Sequence, residues 1–396
     1  MHRHIARRDF LKQSAIAGAA AATGLPAAAA RAAMPDADAT APPPRSPHEL
    51  ATLAERQLDS REFCLSVYDT VAPSLAFTAS EPMAARRWQK KARARLTERL
   101  GGFPATRVPL NAEVLETRDL GAYTREKVVF QTRERLSAIG YLLLPKDRPR
   151  PLPAIVALPG HGRGVDDIIG LAADGTQLPD GAPGYAHQYA VQCVRRGHAT
   201  LALEQLGFGM RRDDAARKSG PTTDSCRPAA TSALLFGQTM AGWRTWDAMR
   251  AIDYLVTRPE VDARRIATLG ASGGGTVSLL TAALDDRVRV GVVSAYFNTF
   301  RDSIVSISHC PDNYVPGLLQ DMELYDVAGL VAPRALFVES GRNDRIFPIA
   351  GSQKAAEHAR RIFAAFGTPD RFGYAIHEGV HEFDGVEAFR FLERAL

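Results

Sequence analysis

The sequence predicts an α/β domain built on a doubly wound, mostly parallel sheet flanked by helices. A helical extension precedes it, and a roof insertion follows the sixth predicted strand. Three observations predict this. From about residue 150 onward, short apolar strand patterns alternate with helical ones, the mark of repeated right-handed βα units. A G-x-S-x-G pentapeptide, Gly270-Ala271-Ser272-Gly273-Gly274, lies between a strand pattern and a helix pattern. An acidic loop residue and a loop histidine then follow in chain order.

The N-terminus reads as a signal. Arg7-Arg8-Asp9-Phe10-Leu11-Lys12 is a twin-arginine pattern, and an Ala-rich run over 15–30 follows it. Gly18, Gly24 and Pro26 interrupt that run, which makes it a poor membrane span and argues against a stable anchor. Residues 1–33 are thus expected to be a twin-arginine signal peptide. The expected partner is the Tat export machinery, and the destination the bacterial periplasm or beyond. The competing reading is an Ala-rich leader with a chance arginine pair. The full chain carries 49 basic and 44 acidic residues. Five of the basic ones and one acidic one lie in 1–33, leaving 44 against 43. The high pI owes much to the leader and gives no argument for nucleic-acid binding.

Residues 34–47, Pro-rich from 41, read as an extended linker. Residues 48–110 form the helical extension, with a basic amphipathic helix over 83–100 whose charge reads as a solvated face. The main domain is assigned to 111–396. Residues 126–130 and 136–144 are β-patterned runs joined by a polar turn, an antiparallel entry to the sheet. Strands are then expected at 154–158, 199–203, 264–269, 288–294, 335–339 and 372–376. Helices are expected at 185–196, 239–257, 276–284 and 349–366, and at the C-terminus.

The flanks of the pentapeptide make it a nucleophile elbow, the strand-to-helix turn of the α/β-hydrolase fold. Glycines permit a turn too tight for a Cβ and leave the Ser272 hydroxyl exposed at the strand end. A serine hydroxyl needs a base, and the base an orienting acid. His381, in the loop EGVHEF after the last strand, is the expected base, with His377 at that strand's end as the competitor. His358 falls in a helix and reads as a surface residue. Asp344, in the loop GRNDRIFP, is the expected acid; Glu339 lies nearer the strand, and an Asx turn or helix cap is the structural alternative for Asp344. The tetrahedral intermediate requires backbone donors. Gly273, directly after the nucleophile, should supply one N–H, and His161 or Gly162 in Pro159-Gly160-His161-Gly162-Arg163-Gly164 the other.

Other chemistries lack their patterns. The glycine loop has no phosphate-binding G-x-x-x-x-G-K-[ST], and no carboxylate pair can be assigned to glycosidic cleavage. Nothing near His161 in the sequence completes a metal set, so neither metal nor cofactor is expected. Cys64, Cys193, Cys226 and Cys310 form no C-x-x-C. Cys193 reads as a buried small hydrophobe. Pairing of Cys226 with Cys310 stays open, since spacing does not show proximity. Residues 296–329 should roof the site, with Asn298, His309 and Tyr314 as candidate substrate contacts; Arg301 could also line it, and capping or loop satisfaction is the alternative for each. Glu204 could reach Arg163 or the roof.

Taken together, the elbow, GRNDRIFP, EGVHEF, PGHGRG and the segment YFNTFRDSIVSISHCPDNYVPGL resemble a bacterial α/β-hydrolase family of acetylxylan-esterase-like and dienelactone-hydrolase-like proteins. The similarity runs from about residue 50 to the C-terminus. It implies an exported carboxylic ester hydrolase, often one that deacetylates plant polysaccharides. Carried over by position, Ser272 is nucleophile, Asp344 acid and His381 base, with His161 and Gly273 as oxyanion donors. Dienelactone hydrolases carry a cysteine where this elbow has serine, so the esterase branch is the expectation. The substrate would be a small-molecule or carbohydrate ester, cleaved through an acyl-enzyme. A peptidase or amidase would use the same triad, and a non-catalytic binding protein is the third reading.

Overall fold

The computed structural model describes residues 56–179, 181–182 and 184–396. The twin-arginine pattern, the Ala-rich run and the Pro-rich linker lie outside the described residues. The chain divides into Met1–Leu58, of which only 56–58 are described, and a single compact unit, Asp59–Leu396. Among the described residues no helix is long and apolar enough to cross a membrane.

The compact unit is organised on one nine-stranded sheet. Its strands are β1 (Glu113–Asp119), β2 (Tyr123–Arg133), β3 (Leu136–Pro145), β4 (Leu152–Leu158), β5 (Ala199–Leu203), β6 (Val261–Ala271), β7 (Val288–Ser294), β8 (Ala335–Gly341) and β9 (Phe372–His377). Their spatial order is β1-β2-β3-β5-β4-β6-β7-β8-β9. The first three pair antiparallel, β3 meets β5 antiparallel, and every pairing from β5 to β9 is parallel. This is the α/β-hydrolase fold, as the sequence predicts.

Burial explains why the central strands are legible. Val156 faces one core layer and its neighbours Ile155 and Ala157 the other. Strands covered on both faces read as unbroken apolar runs, as β4, β5 and β7 do. The antiparallel edge strand β1 (EVLETRD) is exposed along its whole length and has no apolar alternation, so the sequence offers no signal for it. Counting β1, the roof insertion follows the seventh strand rather than the sixth.

Helices Pro82–Arg99, Met240–Leu255, Gly273–Leu284 and Ile349–Ala365 contribute to one layer, and Tyr189–Arg195 and Val386–Ala395 to the other. The first of these departs from its expected solvated face. Arg93 reaches Asp286 at 2.8 Å and Arg99 reaches Asp321 at 2.6 Å, tying its basic side to the body. The predicted helix 185–196 starts only at Tyr189, because His187 and Gln188 adopt left-handed backbone angles. The chain that follows β5 holds short helices at Asp214–Ser219 and Cys226–Leu235.

Register brings the chemistry together. Leu158 pairs with Gly270, Ala271 with Ser294, Ser294 with Glu339, and Gly341 with His377. The loops that leave these strands therefore emerge side by side at the carboxyl edge of the parallel sheet, where ligand sites of such sheets form.

Candidate active site

At the end of β6 the chain turns so tightly that Ser272 adopts φ 55° and ψ −123°. A non-glycine residue in this region stores roughly 1–3 kcal/mol of strain, held only by over-determining neighbours. Here the Ser272 N–H donates to the Ser294 carbonyl at 3.0 Å, and the Ser272 carbonyl accepts from Thr276 N–H at 3.1 Å to start the helix. Side chains at Gly270 and Gly274 would collide with the Gly274 and Leu158 carbonyls. Three successive glycines thus begin the helix Gly273–Leu284 rather than preventing it. Its first-turn N–H groups, Gly273 among them, have no partner within the helix.

Ser272 opens onto a cavity of about 380 Å³ lined also by His161, Tyr185, Gly273, His309, Phe347 and His381. The loop after β9 supplies His381, whose Nδ1 lies 2.8 Å from Asp344 Oδ2. Asp344 is buried, and its other oxygen accepts the N–H groups of Ile346 at 2.7 Å and Phe347 at 3.0 Å. Burial alone would raise this carboxyl's pKa. The hydrogen bond and charge of His381, with the two backbone donors, outweigh burial and lower it. Because Nδ1–H donates to the Asp344 carboxylate, Nε2 is the nitrogen left for proton exchange. Phe347 stacks on the His381 ring at 5.8 Å and fixes its plane.

The remaining candidates separate. His377 accepts from Gly379 N–H at 3.2 Å, while Asp344 holds His381. Glu339 is buried at the end of β8 and accepts Asp384 N–H at 3.0 Å and Gly385 N–H at 3.1 Å, so it anchors the His381 loop. Burial pushes its pKa to about 7. His309 lines the cavity against Phe347 at 5.2 Å. Ser303 Oγ has one proton, donated to the Ile346 carbonyl at 2.7 Å, so at 3.0 Å it accepts from His309 Nε2–H. Burial lowers the His309 pKa to about 4 and keeps the ring neutral.

Asn298 is not at the cavity. It is buried and spends its amide on the Pro348 carbonyl and Ser352 Oγ, because the chain crosses there into the helix Ile349–Ala365. Tyr314 faces a separate apolar hollow of about 230 Å³ and donates to the Ile304 carbonyl at 3.1 Å. Arg301 pairs with Asp69 at 2.9 Å. Glu204 reaches neither Arg163 nor the roof. Its carboxylate accepts Val165 N–H at 3.2 Å and Met210 N–H at 3.3 Å, with its pKa driven by burial to about 8, while Arg163 pairs with Asp167.

Sequence reasoning missed Tyr185. Its hydroxyl accepts Gly160 N–H at 3.0 Å and its carbonyl accepts Phe383 N–H at 2.9 Å. One residue thereby ties the glycine loop to the His381 loop. The sequence reads Tyr185 as the start of a helix over 185–196, and that pattern says nothing about which loops its hydroxyl and carbonyl meet. Space also overturns the argument that nothing completes a metal set around His161. Donor atoms of His161, Cys226, Cys310 and Asp312 all lie within 4.8 Å of one another. Cys226 and Cys310, whose pairing spacing leaves open, are thus neighbours, and both thiols are free.

Fold and elbow together define an α/β-hydrolase. The chain belongs to the Abhydrolase family, whose sequence model matches residues 52–366. It is 27% identical over 315 residues to YtaP of Bacillus subtilis, which carries only a general hydrolase name; the match covers 77% of this chain and 98% of that one. A Bacteroides fragilis crystal structure assigned, without demonstrated activity, as an acetyl xylan esterase superposes with a TM-score of 0.68 at 20% identity, covering 82% of this chain and 83% of that chain. A glucuronoyl esterase from Solibacter usitatus superposes at 0.59 and 19% identity, covering 83% and 98%. At such identities the likeness speaks for the fold.

Proposed function

We propose that this protein is a carboxylic ester hydrolase acting through an acyl-enzyme. Ser272 Oγ attacks the ester carbonyl while His381 Nε2 takes its proton. His381 returns that proton to the leaving alcohol, then activates water to release the acid. Asp344 holds the imidazole and stabilises its charged form without itself taking the proton. The oxyanion is received by the N–H of Gly273 and by the backbone of the His161 loop, which Tyr185 holds through Gly160. The observation that carries this reading is a His381 held by Asp344 and lining the same cavity as a strained elbow serine.

The esterase names of the structural relatives favour esters carried on carbohydrate, acetyl or other short acyl groups among them, and the twin-arginine pattern favours action outside the cytoplasm. Purified protein should hydrolyse 4-nitrophenyl acetate and release acetate from acetylated xylan oligosaccharides. Ser272→Ala should do neither, and a fluorophosphonate probe should label only the wild type. Equal ester turnover in both proteins refutes the assignment, and faster turnover of matched amides would move it to an amidase.

A further inference from the structure

The cluster beside His161 has no part in the triad. We propose that His161, Cys226, Cys310 and Asp312 form a structural site for a divalent transition metal, zinc by the chemistry of the set. The residues arrive from three separate elements: the loop after β4, the helix Cys226–Leu235 and the roof. Their donor atoms nevertheless converge. Asp312 Oδ2 lies 3.7 Å from His161 Nε2 and 3.2 Å from Cys226 Sγ, and all four atoms fall within 4.8 Å of each other. Tetrahedral bonds of about 2.0–2.3 Å put ligands roughly 3.3–3.8 Å apart, so small adjustments close the sphere. Two sulfurs, one imidazole nitrogen and one carboxylate oxygen are a borderline-soft set suited to zinc.

Two further observations point to a ligand. His161 Nε2 is buried and aimed at this cluster, where it meets the Cys226 thiol and no nitrogen or oxygen within hydrogen-bond distance, Asp312 Oδ2 standing off at 3.7 Å. Arg244, buried itself, donates to Asp312 Oδ2 at 2.5 Å and to Cys226 Sγ at 2.8 Å. Such outer hydrogen bonds orient metal ligands. Charge also balances. Two thiolates and a carboxylate carry three negative charges, which a divalent ion and the Arg244 guanidinium neutralise. Binding releases the two thiol protons to solvent. Four protein ligands leave no open position, so the role is structural: the ion pins the roof and the glycine loop that wall the cavity.

The test needs no substrate and stands whether or not the ester-hydrolase reading does. Full-length protein is loaded with Zn²⁺, gel-filtered and analysed for metal and for thiols in denaturant with chelator. About one equivalent retained, four reactive thiols and a lower Tm with chelator are expected. Co²⁺-loaded wild type should show thiolate charge-transfer absorption and intense tetrahedral d–d bands, a readout that requires no variant. Cys226→Ser and Cys310→Ser should each lose the metal. No retained metal with four thiols would overturn the proposal. Two reactive thiols would overturn it in favour of a Cys226–Cys310 disulfide.

Discussion

Two walls of one cavity each present a histidine toward an aspartate, and the two pairs differ in kind. On the wall formed after β8 and β9, His381 Nδ1 and Asp344 Oδ2 are 2.8 Å apart, and the other Asp344 oxygen is filled by backbone donors. On the wall formed after β4, His161 Nε2 and Asp312 Oδ2 are 3.7 Å apart, too far for a hydrogen bond, with two thiols and a guanidinium packed against the same carboxylate. The first arrangement spends the aspartate on orienting a ring whose far nitrogen must remain free. The second turns a histidine nitrogen inward, toward other donors. The residue pair alone does not define its chemistry; its distance and its remaining neighbours do.

Loss of the nucleophile or of its orienting acid should have the largest effect. Ser272→Ala should lower kcat/KM for an aryl acetate by roughly 10⁴-fold or more, since removing a triad member leaves only binding and oxyanion stabilisation. Asp344→Asn should cost kcat about 10³–10⁴-fold with a folded protein, because the amide favours the wrong His381 tautomer. Asp312→Asn should behave differently. It leaves the buried Arg244 charge without its partner, so the expected loss is about 3–5 kcal/mol of unfolding free energy in urea, against a much smaller change in kcat. A kcat loss equal to that of Asp344→Asn would erase the distinction between the walls.

Smaller effects sharpen it. The Asp344 pKa is depressed in the folded state, so its contribution to stability is present above pH 3.8 and lost as pH falls below that value. Glu339 works in the opposite sense. Its pKa is raised from 4.5 to about 7, so its contribution is full below pH 4.5 and disappears as pH rises through 7. Urea midpoints measured from pH 3 to pH 8 should show both limbs, and Glu339→Gln should shallow only the upper one, to which Glu204, raised to about 8, also contributes. Tyr185→Phe is the mildest change. Gly160 N–H loses its acceptor, and a cost of ~1 kcal/mol, about fivefold in kcat/KM, is expected with unchanged metal retention.

How much of the site is legible depends on how local its cause is. Ser272 is legible because the elbow is a contiguous motif whose glycines answer a steric demand within a few residues. Asp344 and His381 are legible because chain order and loop position follow from a parallel sheet. Asn298 and Tyr314 mislead for the opposite reason, since lying in the roof segment does not decide which way a side chain faces. Tyr185 leaves no trace, because its two hydrogen bonds join partners 25 residues upstream and far downstream.

By itself, then, the sequence determined the parallel sheet, the elbow and the order of the triad candidates, all of which rest on periodicity or short-range sterics. Only the tertiary structure decided that Cys226, Cys310 and Asp312 meet at His161, and that Arg244 faces them. Those contacts bridge up to 151 positions of chain. What sets them is strand register and the packing of the roof at 311–313 against the helices Cys226–Leu235 and Met240–Leu255, and no local pattern encodes either.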